Sequence, residues 1–150
     1  MSTRILLVDD HAILRQGLLS LLEKGPEMEV VGEAEDGRKA MELVRELLPD
    51  IVVMDITMPN LNGIDATHEI VSEFPKVKVI ALSIHSHKRF VVGILRVGAS
   101  GYILKECLFD EFLRAIQTIA AGKLPVAEGL GVRVENPRRS TWLIRRKNRL

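Results

Sequence analysis

The sequence predicts a three-layer α/β sandwich built on a parallel sheet. Short apolar runs alternate with longer segments of helical spacing. The runs read as strands buried on both faces, and the longer segments as amphipathic helices that cover them. Turn and capping residues fall at the joints between the two kinds of segment.

Taken in order, the first run is Ile5–Val8, and Leu14, Leu18, Leu21 and Leu22 follow it at helical spacing. Gly25-Pro26 closes that helix. A second run, Met28–Gly32, leads through the turn Asp36-Gly37 into a helix carrying Ala40, Val44 and Leu47, which Leu48-Pro49 ends. The third run, Ile51–Met54, is followed by the turn Asn62-Gly63 and another helix. Runs at Val77–Leu82 and Tyr102–Leu104 supply the fourth and fifth strands. Phe109, Leu113, Ile116 and Ala120 mark the last helix, with Gly122 beyond it. Strand and helix thus alternate five times, the pattern of a doubly wound sheet whose ligands bind at the carboxyl ends of the strands.

Length and composition agree. A chain of 150 residues with 47% hydrophobic and 27% charged residues suits one domain with a real core. Its single cysteine, Cys107, excludes an internal disulfide and fits a reducing compartment. With neither a signal-peptide pattern nor an apolar span of membrane length, a cytoplasmic location and no membrane partner are expected. The net charge of +1 hides an asymmetry. Residues 125–150 hold seven Arg or Lys against two Glu, a net +5, whereas residues 1–124 hold fourteen against eighteen, a net −4. A domain over 1–124 and a basic linker or tail over 125–150 are therefore expected.

Five polar residues end or follow the apolar runs: Asp9, Asp10, Asp55, Ser83 and Lys105. Charged groups avoid burial unless paired or bound to an ion. Two carboxylates about 5 Å apart repel by roughly 3 kcal/mol at an effective dielectric near 20, and a divalent cation removes that penalty. Oxygen-rich sites of this kind suit Mg²⁺. Mg²⁺ neutralises charge on a transferring phosphoryl group, and a nearby lysine suits a phosphate oxygen. Asp55, alone at the end of its strand, is the candidate nucleophile. Asp9 and Asp10 are the candidate metal ligands, and Ser83 and Lys105 the candidate phosphate contacts.

Taken together, Asp9-Asp10-His11, Met54-Asp55 with Thr57-Met58-Pro59, Asn62-Gly63, Ala81-Leu82-Ser83 and Gly101-Tyr102 with Lys105 resemble the receiver domain of bacterial two-component response regulators. The resemblance covers residues 4 to 122. Asp10-His11 with Arg15 and Gly17, and Val31-Gly32 with Ala34, further resemble the NarL/FixJ-type branch. The resemblance implies a flavodoxin-like sheet of strand order 2-1-3-4-5 and phosphoryl transfer from a sensor histidine kinase, or a phosphotransfer protein, onto Asp55. It implies Mg²⁺ held by Asp9, Asp10, Asp55 and the carbonyl of Thr57, with Ser83 and Lys105 gripping the phosphate. Ser83 and Tyr102 would be switch residues, biasing the face formed by the fourth helix, fifth strand and fifth helix, through which a homodimer could form. Ile84 departs from the smaller residue that receivers often carry there, and is expected to narrow access to Asp55.

Competing readings are weaker. The haloacid-dehalogenase phosphatases carry Asp-x-Asp-x-Thr, but Asp55-Ile56-Thr57 has no second acid at that spacing. An atypical receiver that takes no phosphate would not need the full acidic set. His85 and His87 read as a solvated loop, and His11 as a helix-start residue rather than a catalyst. Asp9-x-His11 begins a cobalamin-like signature that Leu14 breaks.

NarL/FixJ-type regulators continue into a helix-turn-helix DNA-binding domain that controls transcription. Residues 125–150 leave no room for one, and Gly129, Gly131 and Pro137 suggest an irregular linker in which Ser140–Lys147 forms a short basic helix. DNA contact is then expected only through an output domain missing here, or weakly through the basic tail. A natural tail, a truncation and an altered reading frame all fit this ending.

Overall fold

The computed structural model describes residues 2–25, 27–56, 63–83, 96–104, 109–120, 131–134 and 141–144. Its strands are β1 (Thr3–Val8), β2 (Met28–Ala34), β3 (Ile51–Asp55), β4 (Lys78–Ser83), β5 (Gly101–Leu104), β6 (Gly131–Val134) and β7 (Thr141–Ile144). The described helices are α1 (Ala12–Glu23), α2 (Gly37–Leu47), α3 (Gly63–Glu73) and α4 (Phe109–Ala120), the last being the fifth helix of the expected series. Between β4 and β5, where the fourth was expected, residues 84–95 lie outside the described part.

Alternation along the strands divides the core in two. Ile5 and Leu7 of β1, Ile51 and Val53 of β3 and Ile80 and Leu82 of β4 pack with Leu18 and Leu22 of α1 and Phe112, Ile116 and Ile119 of α4. Leu6 and Val8, Val52 and Met54, and Val79 face the other way, against Ala40, Met41 and Val44 of α2 and Ala66 and Ile70 of α3. Each fully buried Leu, Ile or Met contributes about 1.5–3 kcal/mol. β3 is buried along its whole length, so Asp55 ends a strand that has core on both faces.

The expected punctuation holds at α2. Asp36 caps its N-terminus by accepting from the Lys39 amide at 2.9 Å. Leu48 closes it in a left-handed conformation at φ 46°, and the Arg4 side chain donates to the carbonyls of Leu47 and Leu48 at 2.7 and 3.1 Å. That contact ties α2 to β1. Arg45 of α2 and Glu73 of α3 pair at 3.1 Å, and this hydrogen bond raises the Arg45 pKa further above its usual value.

The order β2-β1-β3-β4-β5 is the expected 2-1-3-4-5, with parallel pairing throughout. Past β5 the sheet departs from expectation. It continues as β7 and then β6, giving seven strands. β7 is parallel to β5, and β6 is antiparallel to β7. Thr141–Ile144 is therefore a strand, not part of the short basic helix expected over Ser140–Lys147, and Gly131 begins a strand rather than an irregular linker. The reason is local and tertiary at once. Thr141, Trp142 and Ile144 are strand formers, and the edge of β5 offers unpaired backbone groups to pair with.

Candidate metal centre

Strand register brings the acids together. Val8 of β1 pairs with Met54 of β3, so Asp9 and Asp55 leave neighbouring strands at the same level of the carboxyl edge. Continuing the alternation, Asp9 has the parity of Ile5 and Leu7, and Asp55 that of Ile51 and Val53. Backbone bonds carry on just past the apolar runs. The Asp9 amide donates to the Ala34 carbonyl at 3.0 Å and the Ile56 amide to the Leu82 carbonyl at 3.3 Å. Both acids are therefore held by the sheet and not by a loose loop.

Asp9, Asp10, His11 and Asp55 each offer one ligand atom, all within 4.8 Å of one another. Asp9 and Asp55 are completely buried, whereas the Asp10 side chain is 27% exposed. At that spacing each pair of carboxylates repels by about 3 kcal/mol at an effective dielectric near 20. A cation seated among them turns that cost into attraction. Three carboxylates are the hard donors that Mg²⁺ prefers, and the partly open side at Asp10 leaves room for water and phosphate oxygens. The donor set thus fits the cation expected from the sequence.

Three neighbours shape the cluster. His11 begins α1 as its N-cap, as expected, but it also belongs to the site. Its amide donates to Asp9 Oδ1 at 2.8 Å, and its Nδ1 lies 3.0 Å from Asp10 Oδ1. Arg15, one turn further along α1, donates to the Asp9 carbonyl and to Glu33 at 3.2 Å. It clamps the end of β1 between α1 and β2. Gly63 opens α3 directly against Asp55 and Ile56; a Cβ there would run into the Asp55 carbonyl oxygen and the Ile56 Cα. Only glycine lets the helix start this close to the acid. Neither Arg15 nor Gly63 stands out in the sequence for these roles. The signals were present in the His11-to-Arg15 spacing of four residues and in the glycine at a helix start.

The remaining expected site residues are placed less completely. Ser83 ends β4, and its backbone pairs with Leu104, the last residue of β5. Lys105 follows Leu104 in sequence but, with Thr57, lies outside the described residues, as do Ile84, His85, His87 and Cys107. Tyr102 is fully buried in β5, its backbone paired with Ala81 on one side and Leu143 on the other.

The response regulator receiver domain family matches residues 5–117. The regulatory protein DegU of Brevibacillus brevis is 44% identical over 119 residues, which cover 79% of this chain and 50% of that protein. The receiver domain of the regulator NarL from Mycobacterium tuberculosis superposes with a TM-score of 0.78 at 32% identity, covering 81% of this chain and 98% of that one. A CheX–CheY–BeF₃–Mg²⁺ complex from Borrelia burgdorferi gives a TM-score of 0.73 at 25% identity, over 77% of this chain and 87% of that one. The chain belongs to the response regulator receiver domain family, with NarL- and DegU-type regulators of transcription among its relatives. It spans about half the length of the DegU relative. Among the described residues, no helix is long and apolar enough to cross a membrane.

Proposed function

We propose that the chain is a phosphorylation-controlled receiver in which Asp55 takes a phosphoryl group from the phosphohistidine of a sensor kinase or phosphotransfer protein. The observation that carries this proposal is the meeting of Asp9, Asp10 and Asp55 at one end of a buried sheet. A carboxylate oxygen of Asp55 attacks phosphorus, the donor imidazole nitrogen leaves, and an acyl phosphate forms. Water later attacks the same phosphorus and Asp55 leaves as carboxylate. The receiver thus catalyses its own modification and its reversal.

Asp9, Asp10 and Asp55, with the Thr57 carbonyl, would hold Mg²⁺, which supplies charge neutralisation to the phosphoryl oxygens when bound. His11 and Arg15 keep Asp9 in position, through the His11 amide and the Arg15 guanidinium. Ser83, the last residue of β4, and Lys105, which follows β5 in sequence, are the proposed phosphate contacts. Movement of Ser83 is passed to Tyr102, because β4 and β5 are paired from Ile80–Gly101 to Ser83–Leu104. A cytoplasmic location fits a kinase partner, and the domain is assigned residues 1–124. Control of transcription is the output proposed, in line with relatives named as transcriptional regulatory proteins.

Calorimetric titration tests the cation site. Wild type should bind Mg²⁺, and Asp9→Asn or Asp10→Asn should weaken binding by more than about tenfold, the loss typical of altered metal sites. Equal affinity in all three proteins would place the cation elsewhere.

A further inference from the structure

We propose that the β6–β7 hairpin is a built-in cap that occupies the edge of β5 in cis and so bars a second copy of the chain from pairing there. The proposal rests on the receiver reading only for where partners dock, since β5 lies in the face assigned to switching and homodimer formation. Its structural basis is independent of phosphate chemistry.

β7 adds to β5 in parallel, with Gly101 opposite Trp142, Tyr102 opposite Leu143 and Ile103 opposite Ile144. This covers three of the four residues of β5, including the switch position. Without the hairpin, β5 would end the sheet as a strand with a row of unpaired amides and carbonyls, a template for any strand of another chain. With it, the outermost strand is β6, four residues long and carrying Arg133. Short, charged edges are poor templates.

Two physical arguments favour the chain's own tail over a second copy. Only ten residues separate the end of α4 from the start of β6. A tether of that length gives an effective concentration on the order of millimolar, which free chains at micromolar levels do not match. Charge acts in the same direction, because residues 125–150 carry +5 and residues 1–124 carry −4. The hairpin should also dock or release as a unit, because an isolated two-stranded hairpin is marginal in water.

The test is made on the full 150-residue chain. Trp142 is the only tryptophan, so its fluorescence reports β7 alone. β7 is paired on both sides, so a proline at Leu143 removes a ladder bond and obstructs pairing. Leu143→Pro should change Trp142 emission, speed amide exchange in Gly101–Leu104, and turn a monomer into a dimer by light scattering at micromolar concentration. Leu143→Ile should behave as wild type. A wild type that is already dimeric, or a Leu143→Pro protein with exposed β5 amides that stays monomeric, would overturn the proposal. Amide exchange in wild type needs no variant. Slow exchange across β5 and β7 together supports the cap, and rapid exchange in both refutes it. Mg²⁺ titration of the same samples reads the acidic cluster separately, so failure of the receiver chemistry and failure of the cap are distinguishable.

Discussion

Asp55→Asn is expected to abolish phosphoryl uptake from a small-molecule donor such as acetyl phosphate. The amide has nearly the shape of the carboxylate, so the core around Met54 and Ile56 should be undisturbed. It lacks the anionic oxygen that attacks phosphorus, and no acyl phosphate can form. Cation linkage is the second readout. Saturating Mg²⁺ should stabilise the wild type against urea more than the variant, since the variant has lost one carboxylate of the cluster and with it part of the stabilisation that cation binding gives the folded state. Uptake retained by Asp55→Asn, or equal stabilisation of both proteins by Mg²⁺, would count against the cluster.

Gly63→Ala should damage both fold and site. The added methyl meets backbone on two sides, the Asp55 carbonyl oxygen and the Ile56 Cα, and backbone has no rotamer through which to yield. Overpacking of this kind costs about 1–3 kcal/mol. The only relief is to move α3 away or to push Asp55 out of register with Asp9, and either should slow phosphoryl uptake. Gly17→Ala is the matched control. Nothing lies within 4 Å of its added methyl, and it sits inside α1. That change should stabilise by up to about 1 kcal/mol through helix propensity and leave uptake unchanged. Equal behaviour of the two variants would mean that the start of α3 does not position Asp55.

Much of the fold was legible because its signals are local. β1, β3 and β4 are apolar runs long enough to stand out, and α2 is bracketed by the side-chain cap of Asp36 and by Pro49, which disfavours a helical conformation at Leu48. Asp9, Asp10 and Asp55 were legible as a group because carboxylates at the ends of such runs are rarely there for stability. Strand order was not contained in periodicity and came from the resemblance. His11 was understood only in part. Its place at a helix start follows from position, but the approach of Nδ1 to Asp10 depends on how α1 leaves β1. The clash that reserves position 63 for glycine is between segments seven residues apart and shows only in three dimensions. The tail departs from its expected form for a related reason. Strands of four residues are too short to declare a period, and β7 gains its partner from β5, some forty residues earlier in the chain.

The most direct measurement is to locate the phosphoryl group itself. Wild-type protein would be incubated with acetyl phosphate, with and without Mg²⁺, then digested and mapped by mass spectrometry under conditions that preserve acyl phosphates. One phosphoryl group on the peptide containing Asp55, formed only when Mg²⁺ is present, is the predicted result. A group on any other peptide, or the same yield in chelator, would contradict the shared cation and phosphoryl site at Asp9, Asp10 and Asp55.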